Sequence, residues 1–290
     1  VNGIAARILE LSSPLAPQPT GVEPVLPQID GLRAVVFDVY GTLLVSGSGD
    51  ISLTSGAAHS DAATDALVAC GLPPGADGEE VVSRLKATIQ ADHQRSASAY
   101  PEVEIRDIWR TTLAELHPGQ AAANVDVDRL AVEYECRVNP VWPMPGLRET
   151  LSALAAAGVP MGIVSNAQFF TPPALAALAG GDWDALGIDP RLCVWSFEHR
   201  EAKPGRFLYD QAVARLAERG VSAAETLYVG NDMRNDIAPA AAAGFRTALF
   251  AGDARSLRLR EGDPLVGDTR PDAVVTELRQ ILTILSLADR

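Results

Sequence analysis

The chain has 290 residues, of which 47% are hydrophobic and 6% aromatic, a balance that excludes wholesale disorder. It carries 24 Lys+Arg against 37 Asp+Glu, a formal net charge of −13. That excess of acid excludes a general nucleic-acid-binding surface, but not a small anionic substrate, which responds to local charge.

Three widely spaced cysteines, Cys70, Cys136 and Cys193, form no CxxC pair and read as reduced, buried thiols rather than a disulfide framework or a zinc knuckle. No apolar run reaches the ~20 residues of a membrane span. The start has no basic, continuously apolar leader pattern. The expected compartment is the cytoplasm, and neither a membrane nor a nucleic acid is expected as partner. The oligomeric state is left open.

Residues 4–11 suit one short helix. Pro14, Pro17, Pro19, Pro24 and Pro27 then stop regular structure, because each lacks an N–H and fixes its φ. Residues 12–30 read as extended, either packed on the surface or swinging free, and residues 1–30 as a proline-rich arm. Order begins at residues 33–38 (RAVVFD), an apolar run without polar alternation, as in a strand buried on both faces of a parallel sheet. Similar runs recur at residues 160–165, 192–196, 226–230 and 246–250. Helical patterns at 147–157, 204–219 and 236–243 each meet a glycine stop, Gly158, Gly220 and Gly244. Strand, helix, glycine, strand is the rhythm of a doubly wound sheet.

Residues 46–140 break that rhythm. They show helical segments at 60–70, 79–96, 105–116 and 126–138 and no core strand. The expected architecture is α/β: a doubly wound parallel, Rossmann-like core of residues 31–45 and 141–290, with an all-helical cap of residues 46–140 inserted after the first strand. Residues 142–146 (WPMPG) read as the hinge back into the core.

The chemistry-bearing residues stand at strand ends. Asp38 closes the first run, followed by Gly41 for a sharp turn and Thr42 as hydroxyl donor. Ser165 and Asn166 follow the second run, Lys203 and Pro204 the third, and Asn231, Asp232 and Asp236 the fourth. In an open parallel sheet, ligands bind beyond the carboxyl ends of the strands. If the strands are parallel neighbours, these residues converge into a carboxylate nucleophile, hydroxyl and amide donors, an ammonium and an acidic pair. That set suits displacement at an electrophile bearing negative charge.

In this order the four motifs resemble the haloacid dehalogenase-like (HAD) superfamily, over roughly residues 32–250, with the insertion placed like that family's helical C1 cap. The resemblance implies a hydrolase in which Asp38 attacks the substrate and forms a covalent aspartyl intermediate. It implies that Thr42, Ser165 and Asn166 hydrogen-bond the transferring group and that Lys203 offsets the incoming charge. For a phosphatase it implies Mg²⁺ held by Asp38, the Tyr40 carbonyl and Asp232, or Asn231 in its place, with Asp236 orienting Lys203 or capping its own helix. Phosphatase relatives have an aspartate as general acid two residues after the nucleophile, where this chain has Tyr40. Asp-x-Tyr-Gly-Thr, with Tyr209 six residues after Lys203, is instead similar to the 2-haloacid dehalogenase pattern, which needs no metal. Against that stand Asp232 and the absence of an arginine near Ala69, about thirty residues after Asp38, where dehalogenases bind halide.

Substrate-facing candidates in the insertion are Arg84, Asp92, His93, Arg95, Tyr100, Arg106, Trp109 and Arg110, with Arg106, Trp109 and Arg110 on one helical face. Three functions remain: a Mg²⁺-dependent small-molecule phosphatase, which is preferred; a metal-independent 2-haloacid dehalogenase; and a non-catalytic scaffold, which would need no nucleophile.

Overall fold

The computed structural model describes residues 3–48, 56–72, 77–116 and 124–287. Residues 49–55, 73–76 and 117–123 of the expected insertion, and the ends of the arm and core at 1–2 and 288–290, lie outside the described residues.

The strands in chain order are β1 Ala34–Phe37, β2 Leu44–Ser46, β3 Val141–Pro143, β4 Met161–Ser165, β5 Ile188–Trp195, β6 Thr226–Gly230, β7 Arg246–Phe250 and β8 Ala273–Val275. Six of them form one parallel sheet in the order β5-β4-β1-β6-β7-β8. The short strand β1 is wholly buried because its alternate side chains feed two cores. Val35 and Phe37 join Ile163, Leu227 and Val229 on one face, while Ala34 and Val36 join Val164, Tyr228 and Leu208 on the other. Helices on both faces make the architecture α/β and Rossmann-like. The chain leaves β1 for β4 and β5 on one side and returns for β6, β7 and β8 on the other, so β1 marks the switch point where a crevice opens.

Sequence patterning missed three features. An antiparallel ribbon pairs β2 with β3 at the two ends of the insertion. Its three-residue strands carry too little alternation to be read. Strand β8 is equally short. The helix Thr171–Ala179 is a run of alanines and leucines behind two prolines, with no amphipathic stripe to mark it.

The insertion supplies helices Gly56–Ala69, Gly78–Arg95, Ile105–Leu116 and Val127–Val138. They bury a cluster of their own, including Leu67, Leu85, Trp109 and Leu130. Ile8 from the N-terminal helix Gly3–Leu11 and Phe170 and Ala174 from beside β4 complete it. The N-terminal helix therefore packs against both the insertion and the core.

The arm packs along its length. Ala16, Gln18 and Thr20 bond to residues 251–255. Val25 pairs antiparallel with Val274 and covers the outer edge of β8, as exposed sheet edges require.

Glu133, with a fully buried side chain, anchors the N-terminal helix. Arg7 donates to it twice, at 2.6 and 3.0 Å, and Arg129 and Arg137 donate from one turn before and one turn after it on the same helix. Burial pushes the Glu133 carboxyl up, but the hydrogen bonds from Arg7 and Arg137 outweigh it and hold it below the usual carboxylate range. Glu133→Ala would take the shared carboxylate from three guanidiniums, leaving Arg7 with Glu10 alone and Arg137 with the more distant Asp65. It should lower the unfolding free energy by about 2 to 3 kcal/mol in urea denaturation.

Candidate active site

The register of the parallel sheet sets the site. Phe37 pairs with Ile163 and with Val229, so Asp38, Ser165 and Asn231 emerge together at the carboxyl edge. The Asp38 amide donates to the Val229 carbonyl, which fixes the turn out of β1. Gly41 then adopts φ +80°. A Cβ there would lie 2.5 Å from Ser256 Cβ and 2.7 Å from Asn231 Nδ2, so both the backbone angle and the space demand glycine.

Lys203 is the electrostatic centre. Its ammonium donates to Asp38 Oδ1 and to Asp236 Oδ1, both at 2.6 Å, with all three side chains buried. Burial opposes the charge on Lys203, but the carboxylates of Asp236 and Asp38 outweigh it and raise its pKa. Asp236 is pushed up by burial and pulled back by Lys203. Ser165 Oγ donates to Asp38 Oδ1 at 3.1 Å. Thr42 Oγ1 lies 3.5 Å from Asp38 Oδ2 and 3.2 Å from Asn231 Oδ1 and can donate to either. Asn166 lines the cavity and also holds Lys203 in place. Its side-chain oxygen accepts from the Lys203 amide at 2.7 Å and its nitrogen faces the Lys203 carbonyl, so it clamps the backbone that aims the ammonium.

Asp236 accepts from Lys203, from the Tyr228 hydroxyl and from the Asp232 amide. Asp232 is equally engaged. Its carboxylate accepts from the Arg234 and Asn235 amides at the start of the π-helical turn Met233–Ile237, from the Asn235 side chain, and from Arg260 at 2.7 Å.

Tyr209 does not line the cavity but lies behind the triad, near enough to act electrostatically on Lys203. It is fully buried under the sheet edge, bonded to the Asn235 carbonyl and packed on Tyr228. Tyr40 does line it, with its hydroxyl 2.8 Å from Thr171 Oγ1 and its phenol pushed above its usual range, mainly by burial.

A cavity of about 360 Å³ opens above Asp38. None of the substrate-facing candidates expected in the insertion lines it. Trp109 is core, while Arg84, Arg95, Arg106 and Arg110 pair with Glu115, Asp92, Glu104 and Asp107. The insertion instead contributes Glu102, Glu135 and Asn139, and the loop after β7 contributes Ser256, Arg258 and Arg260. Sequence spacing offered no signal for these, because they belong to no motif. Burial raises both glutamates. Glu135 is pushed up to about 7, opposed by a hydrogen bond from Asn139, and Glu102 is raised despite bonds from Ser196 and the Val103 amide.

Among the described residues no three His, Cys, Asp or Glu side chains converge as a metal cluster. The expected ligand Asp232 does not fit, because both its oxygens are taken by N–H donors and Arg260. Asp38 Oδ2, the Tyr40 carbonyl and Asn231 Oδ1 are hard oxygen donors of the kind Mg²⁺ takes in small number beside water. Asn231, not Asp232, is the fourth-motif residue that fits.

The model of the haloacid dehalogenase-like hydrolases matches residues 32–244. A phosphoglycolate phosphatase from Pectobacterium atrosepticum is 30% identical over 89% of this chain and 94% of its own. In fold, the chain is similar to a 2-haloacid dehalogenase from Pseudomonas syringae (TM-score 0.53, 19% identity, 88% of this chain and 98% of that one). It is also similar to a HAD phosphatase from Thermococcus onnurineus (TM-score 0.51, 19% identity, with the same two coverages).

Because Tyr209 stands outside the cavity, Tyr209→Phe should cost about 1 kcal/mol in thermal or urea unfolding and change KM by less than about twofold. A large rise in KM would return Tyr209 to the substrate.

Proposed function

The chain belongs to the haloacid dehalogenase-like hydrolases, and on that premise we propose that it is a Mg²⁺-dependent phosphatase of small phosphomonoesters. Asp38 is the nucleophile. A carboxylate is ionised at neutral pH and needs no base to activate it. Its oxygen forms the bond to phosphorus as the ester P–O bond breaks, and water then hydrolyses the aspartyl phosphate. Lys203, Ser165 and Thr42 orient Asp38 and meet the charge of the transferring group. Asp236 and Asn166 position Lys203. When bound, Mg²⁺ would be held by Asp38, the Tyr40 carbonyl and Asn231 and would neutralise phosphoryl charge. The helical insertion serves as the cap over this cavity.

The observation that carries the choice between phosphoester and carbon–halogen chemistry is the wall that the insertion presents. Among the described residues it offers Glu102 and Glu135 and no arginine. A departing halide needs a cation there and would meet carboxylates instead. A departing alkoxide needs a proton. Tyr40, with its phenol raised, is a poor donor, whereas Glu135 at about 7 is matched to the task. The phosphatase relative, aligned over nearly its whole length, points the same way.

p-Nitrophenyl phosphate and 2-phosphoglycolate should turn over with Mg²⁺, stop with EDTA, and lose at least about 10³-fold in kcat with Asp38→Asn. Halide release from 2-chloropropionate without metal would overturn the reading. Magnesium titrations of turnover separate the two fourth-motif residues. Asn231→Ala should raise the half-saturating Mg²⁺ concentration by about tenfold or more, and Asp232→Asn by much less.

A further inference from the structure

The cations that line the cavity are already matched, with one exception. Lys203 is committed to Asp38 and Asp236, and Arg260 to Asp232. Arg258 makes no ion pair with any described residue. Its Nη1 donates to the carbonyls of Arg255 and Leu257, at 2.8 and 3.0 Å, while its Nε and Nη2 take no acceptor among the described residues, and the residue lines the cavity.

Its backbone is held to the catalytic edge. The Arg258 amide donates to the Asn231 carbonyl and its carbonyl accepts from the Met233 amide, so the loop runs in register with the fourth motif. Farther back, the N-terminal arm ties the same loop at Asp253 and Ala254. Arg258 is thus a half-buried cation, on a braced loop, on the β7 side of Asp38. Lys203 stands on the β5 side.

We propose that Arg258 is a specificity-determining residue that binds a carboxylate carried by the phosphomonoester substrate. The inference rests on the phosphatase reading and names its substrate class: small phosphorylated carboxylic acids. A carboxylate brings one negative charge to one unmatched guanidinium and suits its planar, two-pronged fork. A second phosphoryl group would add up to two charges to a cavity where carboxylates already outnumber cations. Among the described residues the insertion wall offers Glu102 and Glu135 and no cation, so it holds no competing site for the substrate's anionic end.

The test is calorimetric binding of two non-hydrolysable ligands at fixed Mg²⁺, phosphonoacetate and ethylphosphonate, which differ by the carboxylate. The unaltered protein should bind phosphonoacetate about tenfold or more tightly, the size of one charge-assisted pair. Arg258→Gln keeps an amide for the loop carbonyls but loses the charge. It should bring the two affinities within about twofold while ethylphosphonate binding stays unchanged, and Arg258→Lys should restore part of the preference. A preference that survives in Arg258→Gln overturns the assignment. So does an equal loss for both ligands, which would mean that Arg258 grips the phosphoryl group or only braces the loop. Ethylphosphonate binding with no preference in the unaltered protein defeats the Arg258 assignment alone. Failure to bind either ligand defeats the phosphatase reading, and the assignment with it.

Discussion

The buried ammonium of Lys203, shared between Asp38 and Asp236 at 2.6 Å on each side, is the constraint around which the site is built. Two carboxylates this close cannot both stay ionised in a low-dielectric interior without a cation between them, and a lysine cannot stay charged there without carboxylates. Each group is tolerable only because the others are present. The surroundings complete the balance with neutral donors: Ser165 and Thr42 on Asp38, and Tyr228 and the Asp232 amide on Asp236. With all three groups ionised, the triad carries one net negative charge. It is therefore ready for a cation at Asp38 Oδ2, and an anionic substrate needs more positive charge than Lys203 alone supplies.

Much of the fold can be seen as the means of holding that triad. Asp38 comes from the end of β1, Ser165 from β4, Lys203 from the loop after β5 and Asp236 from the turn after β6. Only a parallel sheet with β1 at the switch point brings these four ends to one place. The Asn166 side chain locks the Lys203 backbone, and the π-helical turn after Asp232 swings Asp236 back under the ammonium. π-Helical turns of this kind recur at functional sites, where one extra residue re-aims a side chain.

Around the triad, charge is distributed unevenly. The insertion presents carboxylates and the loop after β7 presents arginines. The N-terminal arm touches both halves. Its helix anchors on Glu133 of the insertion, and its extended part ties down residues 251–255. The overall charge of −13 says nothing about this polarity. It describes the solvated surface, whereas the cavity depends on which cations are already committed.

The sequence alone determined the architecture and which polar residues stand at the strand ends. Apolar runs ending in Asp38, Ser165 and Gly230 require strands buried on both faces, and polar groups at such ends have one edge of the sheet to occupy. The short ribbon, β8 and the alanine-rich helix were not legible, since three residues, or a run without polar contrast, carry no periodic signal. Which donor meets which acceptor was decided only by the tertiary structure. Asp232 and Asn231 are adjacent in the chain, yet one is consumed by a helix start and by Arg260, twenty-eight residues away, and the other turns toward Thr42. Tyr209 keeps the spacing of a substrate residue but points into the core. Glu135 and Arg258 belong to no motif and line the cavity all the same. Spacing along a chain fixes the neighbours within one element. The partners of a charged side chain are chosen by packing between elements, where burial makes an unmatched charge costly and forces each one to find its counterpart.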